Sequence, residues 1–124
     1  MKKITRLLCG GALIVASLST VAGSLQYGVY GAGIHSCGSY VQAFRTGDPT
    51  TEKNFYMAWL GGYLTAYNNM SKTGNLAGGT DIYGPVEWIN SYCQKNPMSN
   101  VANAAFAFIN FMASQEELSD KNKK

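Results

Sequence analysis

The stretch Asp81–Pro97, DIYGPVEWINSYCQKNP, constrains the fold more than any other part of the chain. It reads as one helix. Pro85 suits a first turn, where its missing N–H costs nothing. Trp88, Ile89, Tyr92 and Cys93 share one apolar face. Lys95 sits in the last turn, and Pro97 forbids continuation. The rest of the chain must therefore bury this stripe and supply Cys93 with a partner.

The partner follows from the N-terminus. Lys2, Lys3 and Arg6 precede an apolar run from Leu7 to Leu18, and Ser19 to Ser24 is small and polar. That is the layout of a secretory signal peptide over residues 1–23, with cleavage after Ala22 or Gly23. The apolar run is too short for the ~20 residues of a membrane span, so no stable membrane insertion is expected. Cys9 leaves with the peptide, and Cys37 and Cys93 remain. An even pair in an exported protein reads as a disulfide. A metal or redox pair is the alternative, but there is no CxxC, and one histidine cannot complete a zinc site.

Removal of the peptide also changes the charge. The full chain has ten Lys+Arg against seven Asp+Glu. Three of those ten bases lie in the peptide, so the mature chain is close to neutral. Neutrality argues against a nucleic-acid surface. About a hundred residues remain, enough for one small domain.

Three more helices are expected. Ser36 caps a short one to Arg45, in which Cys37, Tyr40, Val41 and Phe44 repeat on one face. Asp48-Pro49 opens a longer one to about Met70. Its stripe of Phe55, Tyr56, Trp59, Leu60, Tyr63, Leu64 and Tyr67 is the strongest periodic signal in the chain. Gly61 and Gly62 within it suggest a close neighbouring backbone. SKTGNLAGGT (71–80) is a loop. Ser99 or Asn100 caps a last, alanine-rich helix from Val101 to Leu118. The glycine-rich residues 24–35 read as a flexible lead-in, the helical domain as 36–118, and 119–124 as a frayed charged tail. The fold class is all-α: a small four-helix domain with one disulfide, Cys37–Cys93. Both tryptophans, Trp59 and Trp88, are placed in the core.

No residue set specifies a reaction. His35 is the one histidine, and no two of the seven mature carboxylates stand at a spacing that demands acid/base work. GVYGAG lacks the GK[ST] of a phosphate loop. A non-enzymatic protein without metal or cofactor is expected.

Several motifs point to a family. Cys37-Gly38-Ser39-Tyr40 opens the first helix, Ala58-Trp59-Leu60 marks the second, and Asp81 opens the third. Tyr92-Cys93-Gln94-Lys95-Asn96-Pro97 closes it. Over roughly residues 36–110 the chain resembles the HdeA/HdeB family of small periplasmic proteins. The resemblance implies an all-helical fold with one disulfide, a periplasmic location, and acid-stress holdase chaperoning in which a folded, often dimeric protein exposes apolar surface to unfolded client proteins. Tyr56, Trp59, Tyr63, Tyr67, Phe108 and Met112 would form the client or partner surface. The runner-up is an interaction protein. Small exported helical proteins of the Rap/Tai immunity type bind a toxin, and Gly61-Gly62-Tyr63-Leu64 with the disulfide is similar to them. Such a binder shows an aromatic or charged patch at neutral pH, whereas a holdase hides its apolar surface until acidified.

Overall fold

A computed structural model describes residues 28–46, 52–71, 74–76 and 81–123. The signal peptide, the Asp48-Pro49 helix start and most of the 71–80 loop lie outside the described residues.

Helix α1 (Cys37–Arg45) begins where Ser36 Oγ accepts the Ser39 N–H at 3.1 Å. That start is stitched to the turn before the last helix. Cys37 N–H donates to Ser99 O at 2.8 Å and Gly38 N–H to Pro97 O at 3.1 Å. Ser36 and Asn100 form an isolated antiparallel bridge. Helix α4 (Val101–Asn122) starts from the other side of that bridge, with Asn100 Oδ1 accepting the Asn103 N–H at 2.8 Å. Two side-chain caps thus share one junction, and each satisfies an N–H that a helix start leaves unpaired.

Helix α3 (Tyr83–Lys95) holds Pro85 in its first turn, and Asp81 Oδ1 accepts the Tyr83 N–H at 3.0 Å. Helix α2 (Glu52–Met70) is the other long helix. Cys37 and Cys93 are bonded, with Cα atoms 4.7 Å apart, and join α1 to α3. The fold is all-α, with four α-helices and no named strand among the described residues.

The core is where α1, α3 and α4 meet one face of α2. Tyr40, Leu60, Ile89 and Val101 have no exposed surface, nor has either bonded cysteine. Tyr40 hydroxyl donates to Val86 O at 3.2 Å, so its buried polar tip is satisfied. Among the described residues no polar or charged residue is buried.

Four expectations need correction. Residues 28–35, the described part of the glycine-rich lead-in, are built into the fold. Gly31–Ile34 form a 3-10 helix packed against α2 and α4, and Ala32 is fully buried. The cause is tertiary. Gly31 takes a left-handed φ of +68°, and a Cβ on Gly33 would collide with the Trp59 ring, which lies against that backbone. Gly33→Ala should therefore force the ring or the turn to move. A loss of about 1–3 kcal/mol in chemical denaturation is expected, the usual cost of overpacking.

Next, among the described residues no group lies within 4 Å of where a Cβ would stand on Gly61 or Gly62, so none of them brings a close backbone there. Helix α2 packs chiefly on the 3-10 helix and α1, and its buried residues, Tyr56 and Leu60, precede the glycine pair. Third, the tail is helical as far as Asn122, because no breaker intervenes and Glu117 stands four residues before Lys121. Last, Trp59 and Trp88 are half-buried at the edge of the core. Each stacks on the tyrosine one turn later: Trp59 on Tyr63 at 5.1 Å and Trp88 on Tyr92 at 5.8 Å.

Candidate functional site

In the folded state the six residues expected to form a client or partner surface do not make one exposed patch. Tyr56 and Phe108 are buried, at 3 % and 4 % exposure, and belong to the core. Trp59, Tyr63, Tyr67 and Met112 are half-buried. Tyr56 packs edge-on against Tyr40 at 5.1 Å, while Phe108 meets Trp88 of α3 at 5.5 Å. The α2 and α4 members thus point into different parts of the interior.

The exposed apolar groups lie elsewhere. Around the 3-10 helix, Tyr30 is 83 % exposed, Ile34 61 % and Phe55 47 %. Val29 stands beside them, more than a third exposed. Trp59 ties the segment to α2, its Nε1–H donating to Tyr30 O at 2.7 Å. His35 closes the other side. Its ring centroid is 6.0 Å from Phe55, and its Nδ1 is hydrogen-bonded to Tyr56 hydroxyl at 3.0 Å. Exposed apolar side chains thus lie along Val29–His35 and on the first turn of α2, two segments joined by the His35 and Trp59 contacts. The backbone of the first segment is held by the core on one side and by the α1–α4 junction on the other.

Sequence periodicity missed this exposure for a definable reason. Phe55 and Tyr56 are neighbours, set about 100° apart on a helix, so only one can point inward. Tyr56 does, with Leu60, and Phe55 is turned out. The signal that could have found it is Gly31-x-Gly33 opposite a tryptophan, which marks a backbone pressed on a ring.

A second exposed group sits on α4. Phe106 is 56 % exposed and Phe111 41 %, and Phe111 packs against Trp88 at 5.4 Å. Phe106 and Phe111 are five residues apart, so they occupy different sides of the helix and make no single face.

Concave surface is limited. A broad open groove of about 950 Å³ lies between α1 and the end of α3, edged by Val41, Gln42, Arg45, Gln94 and Pro97. Its polar side chains are exposed. No group of three or more His, Cys, Asp and Glu among the described residues could hold a metal ion. No helix among them is long and apolar enough to cross a membrane.

The tyrosines carry the titration behaviour. Burial holds the Tyr40 phenol far above its ordinary range, with Glu87 and Tyr56 adding to the effect. Burial and then Glu52 raise Tyr56, and burial and then Tyr67 raise Tyr63. These phenols stay protonated in the folded state where an unfolded phenol ionises, near pH 10. Stability from this source is complete below about pH 10 and is lost as pH rises above it. Denaturant titrations at alkaline pH should show that decline, and Tyr40→Phe should make it shallower.

Comparison with protein-family models, curated proteins and solved structures finds no match to this chain.

Proposed function

We propose that the chain is a non-enzymatic exported protein that binds another protein through the aromatic face at Val29–His35 and Phe55. The observation that carries this reading is the exposure of Tyr30, Ile34 and Phe55 on two segments whose neighbouring residues Ala32 and Tyr56 are buried in the core. Isolated exposed apolar residues are ordinary; a cluster on a rigid backbone is what a partner site requires. The face is open in the folded state, so binding needs no unfolding. This favours the specific-partner reading, of which a toxin-neutralising immunity protein is one form. The test is capture at neutral pH by the oxidised mature protein, followed by measurement of affinity with the purified captured protein. Ile34→Ser combined with Phe55→Ser should weaken that affinity at least about tenfold, since hot-spot truncations cost about 2 kcal/mol or more. An unchanged affinity would refute the assignment.

A second reading, acid-stress holdase chaperoning in the periplasm, is favoured by the way α2 is held. The disulfide joins α1 to α3, whereas α2 packs chiefly on the 3-10 helix and α1. Seven carboxylates in the mature chain would lose their charge at about pH 2–3, leaving it strongly cationic. Release of α2 under that repulsion would expose Tyr56, Leu60 and Tyr63 while the disulfide kept the rest together. Light scattering of an acid-labile client, taken to about pH 2–3 and back, decides it. Suppressed aggregation only in acid supports this reading, and no suppression removes it.

A further inference from the structure

The groove between α1 and the end of α3 has its own construction. Gly38, Val41, Gln42 and Arg45 recur at the spacing of a single helix face, and that face of α1 forms one wall. Cys93, Gln94 and Pro97 form the other. The Cys37–Cys93 bond fixes one wall to the other. Gly38 brings no side chain between them, and its N–H donates to Pro97 O at 3.1 Å. Thr46 is turned back on its own helix, since its N–H and its Oγ1 both donate to Gln42 O, at 3.1 and 3.2 Å. The groove therefore stays open, with a volume of about 950 Å³. Small-molecule sites ordinarily run to about 300–1,000 Å³.

The lining mixes apolar surface with one sign of charge. Val41, Cys93 and Pro97 are apolar, and the amides of Gln42 and Gln94 can donate to an oxyanion. Among the described residues that line the groove only Arg45 is charged, and it is exposed in the last turn of α1. A base in a last turn suits the helix dipole whatever lies beside it, so the charge alone marks no site. Arg45, however, edges an apolar surface whose described lining holds no carboxylate. A guanidinium takes a carboxylate through two parallel hydrogen bonds, a geometry that an ammonium cannot offer.

We infer that the α1–α3 groove binds a small organic acid: Arg45 takes the carboxylate, with the amides of Gln42 and Gln94 beside it, and the apolar body rests on Val41 and Pro97. An inorganic anion would gain the pairing without the apolar burial, and a neutral apolar molecule the burial without the pairing. The groove shares no residue with the Val29–His35 and Phe55 surface, so the two sites can be tested apart.

The test follows backbone amide NMR shifts of the oxidised mature protein at about pH 7, where a carboxylic acid is ionised. The protein is titrated with 4-phenylbutyrate and, separately, with its uncharged isostere 4-phenylbutanamide. Saturable shifts are expected across Gly38–Arg45 and at Gln94, with Gly31–Ile34 unmoved. The acid should bind at least about threefold more tightly than the amide, the low end for an exposed charge-assisted pair. In Arg45→Gln, a substitution of an exposed residue, that preference should disappear while the amide binds as before. Gly38→Leu should weaken both ligands together by filling the groove. A Cβ on Gly38 would meet Pro97 O and Ser36 Oγ at 3.7 Å, ordinary contact distances, and far-UV circular dichroism checks that each variant is folded. No saturable shift in the wild type, shifts centred on Val29–Ile34 and Phe55, equal binding of acid and amide, or a preference for the acid kept in Arg45→Gln would overturn the inference.

Discussion

Replacing Cys37 and Cys93 together by alanine is expected to lower the free energy of unfolding by about 4 kcal/mol. The two cysteines are 56 residues apart in sequence, and closing so long a loop removes much of the freedom of the unfolded chain. Both residues are fully buried, so the substitution also leaves unfilled volume between α1 and α3. For a domain whose total stability lies in the range of about 5–15 kcal/mol, this is a major part of it. Urea titration of the oxidised wild type against the double variant measures the effect. A difference under about 1 kcal/mol would mean that α1 and α3 hold together without their bond, since disulfides in small secreted domains typically contribute 2–5 kcal/mol. The position of the bond matters as much as its strength. It lies beside the junction where Ser36 pairs with Asn100, so it fastens the point from which both α1 and α4 start.

Leu60→Ala is expected to cost about 2–5 kcal/mol, the range for a fully buried leucine whose cavity cannot collapse. Leu60 has no exposed surface and stands in the core with Tyr40, Tyr56 and Val86. The effect should be concentrated on α2, because that helix rests mainly on the 3-10 helix and α1 and has no covalent tie to either. Trp59 fluorescence reports it directly: the ring sits against Gly31 and Gly33, and loosening of α2 would shift its emission toward that of exposed indole. A uniform loss across all four helices, with Trp59 and Trp88 responding together, would show instead that α2 unfolds only with the whole domain.

The features legible in the sequence are those that local chemistry decides. Ser36 and Asn100 act as caps because a side-chain oxygen before an apolar run has few other places to bond. Pro85 and Pro97 mark the beginning and end of α3 for steric reasons that hold in any context. The cysteine pairing follows from an even count. What the sequence conceals depends on tertiary contact. The 3-10 helix has no periodicity of its own, and its shape comes from a Trp59 ring laid across two glycines from another element. Phe55 and Tyr56 are equivalent to a pattern search until the packing of α1 decides which one faces in. Gly61 and Gly62 read as a contact site because glycines in helices often are, yet no group among the described residues comes within 4 Å of where their Cβ atoms would stand. The candidate face is built from those concealed features, so periodicity alone pointed to the inward side of the same helix.

Whether partners bind at Val29–His35 and Phe55 is decided by hydroxyl-radical footprinting of the mature protein at neutral pH, alone and bound to the protein it captures. Strong protection of Tyr30, Ile34 and Phe55 is expected on binding, with Phe106 and Phe111 labelled equally in both states. Protection confined to Phe106 and Phe111, or to Arg45 and Gln94 along the α1–α3 groove, with Tyr30 and Phe55 labelled as in the free protein, would contradict it.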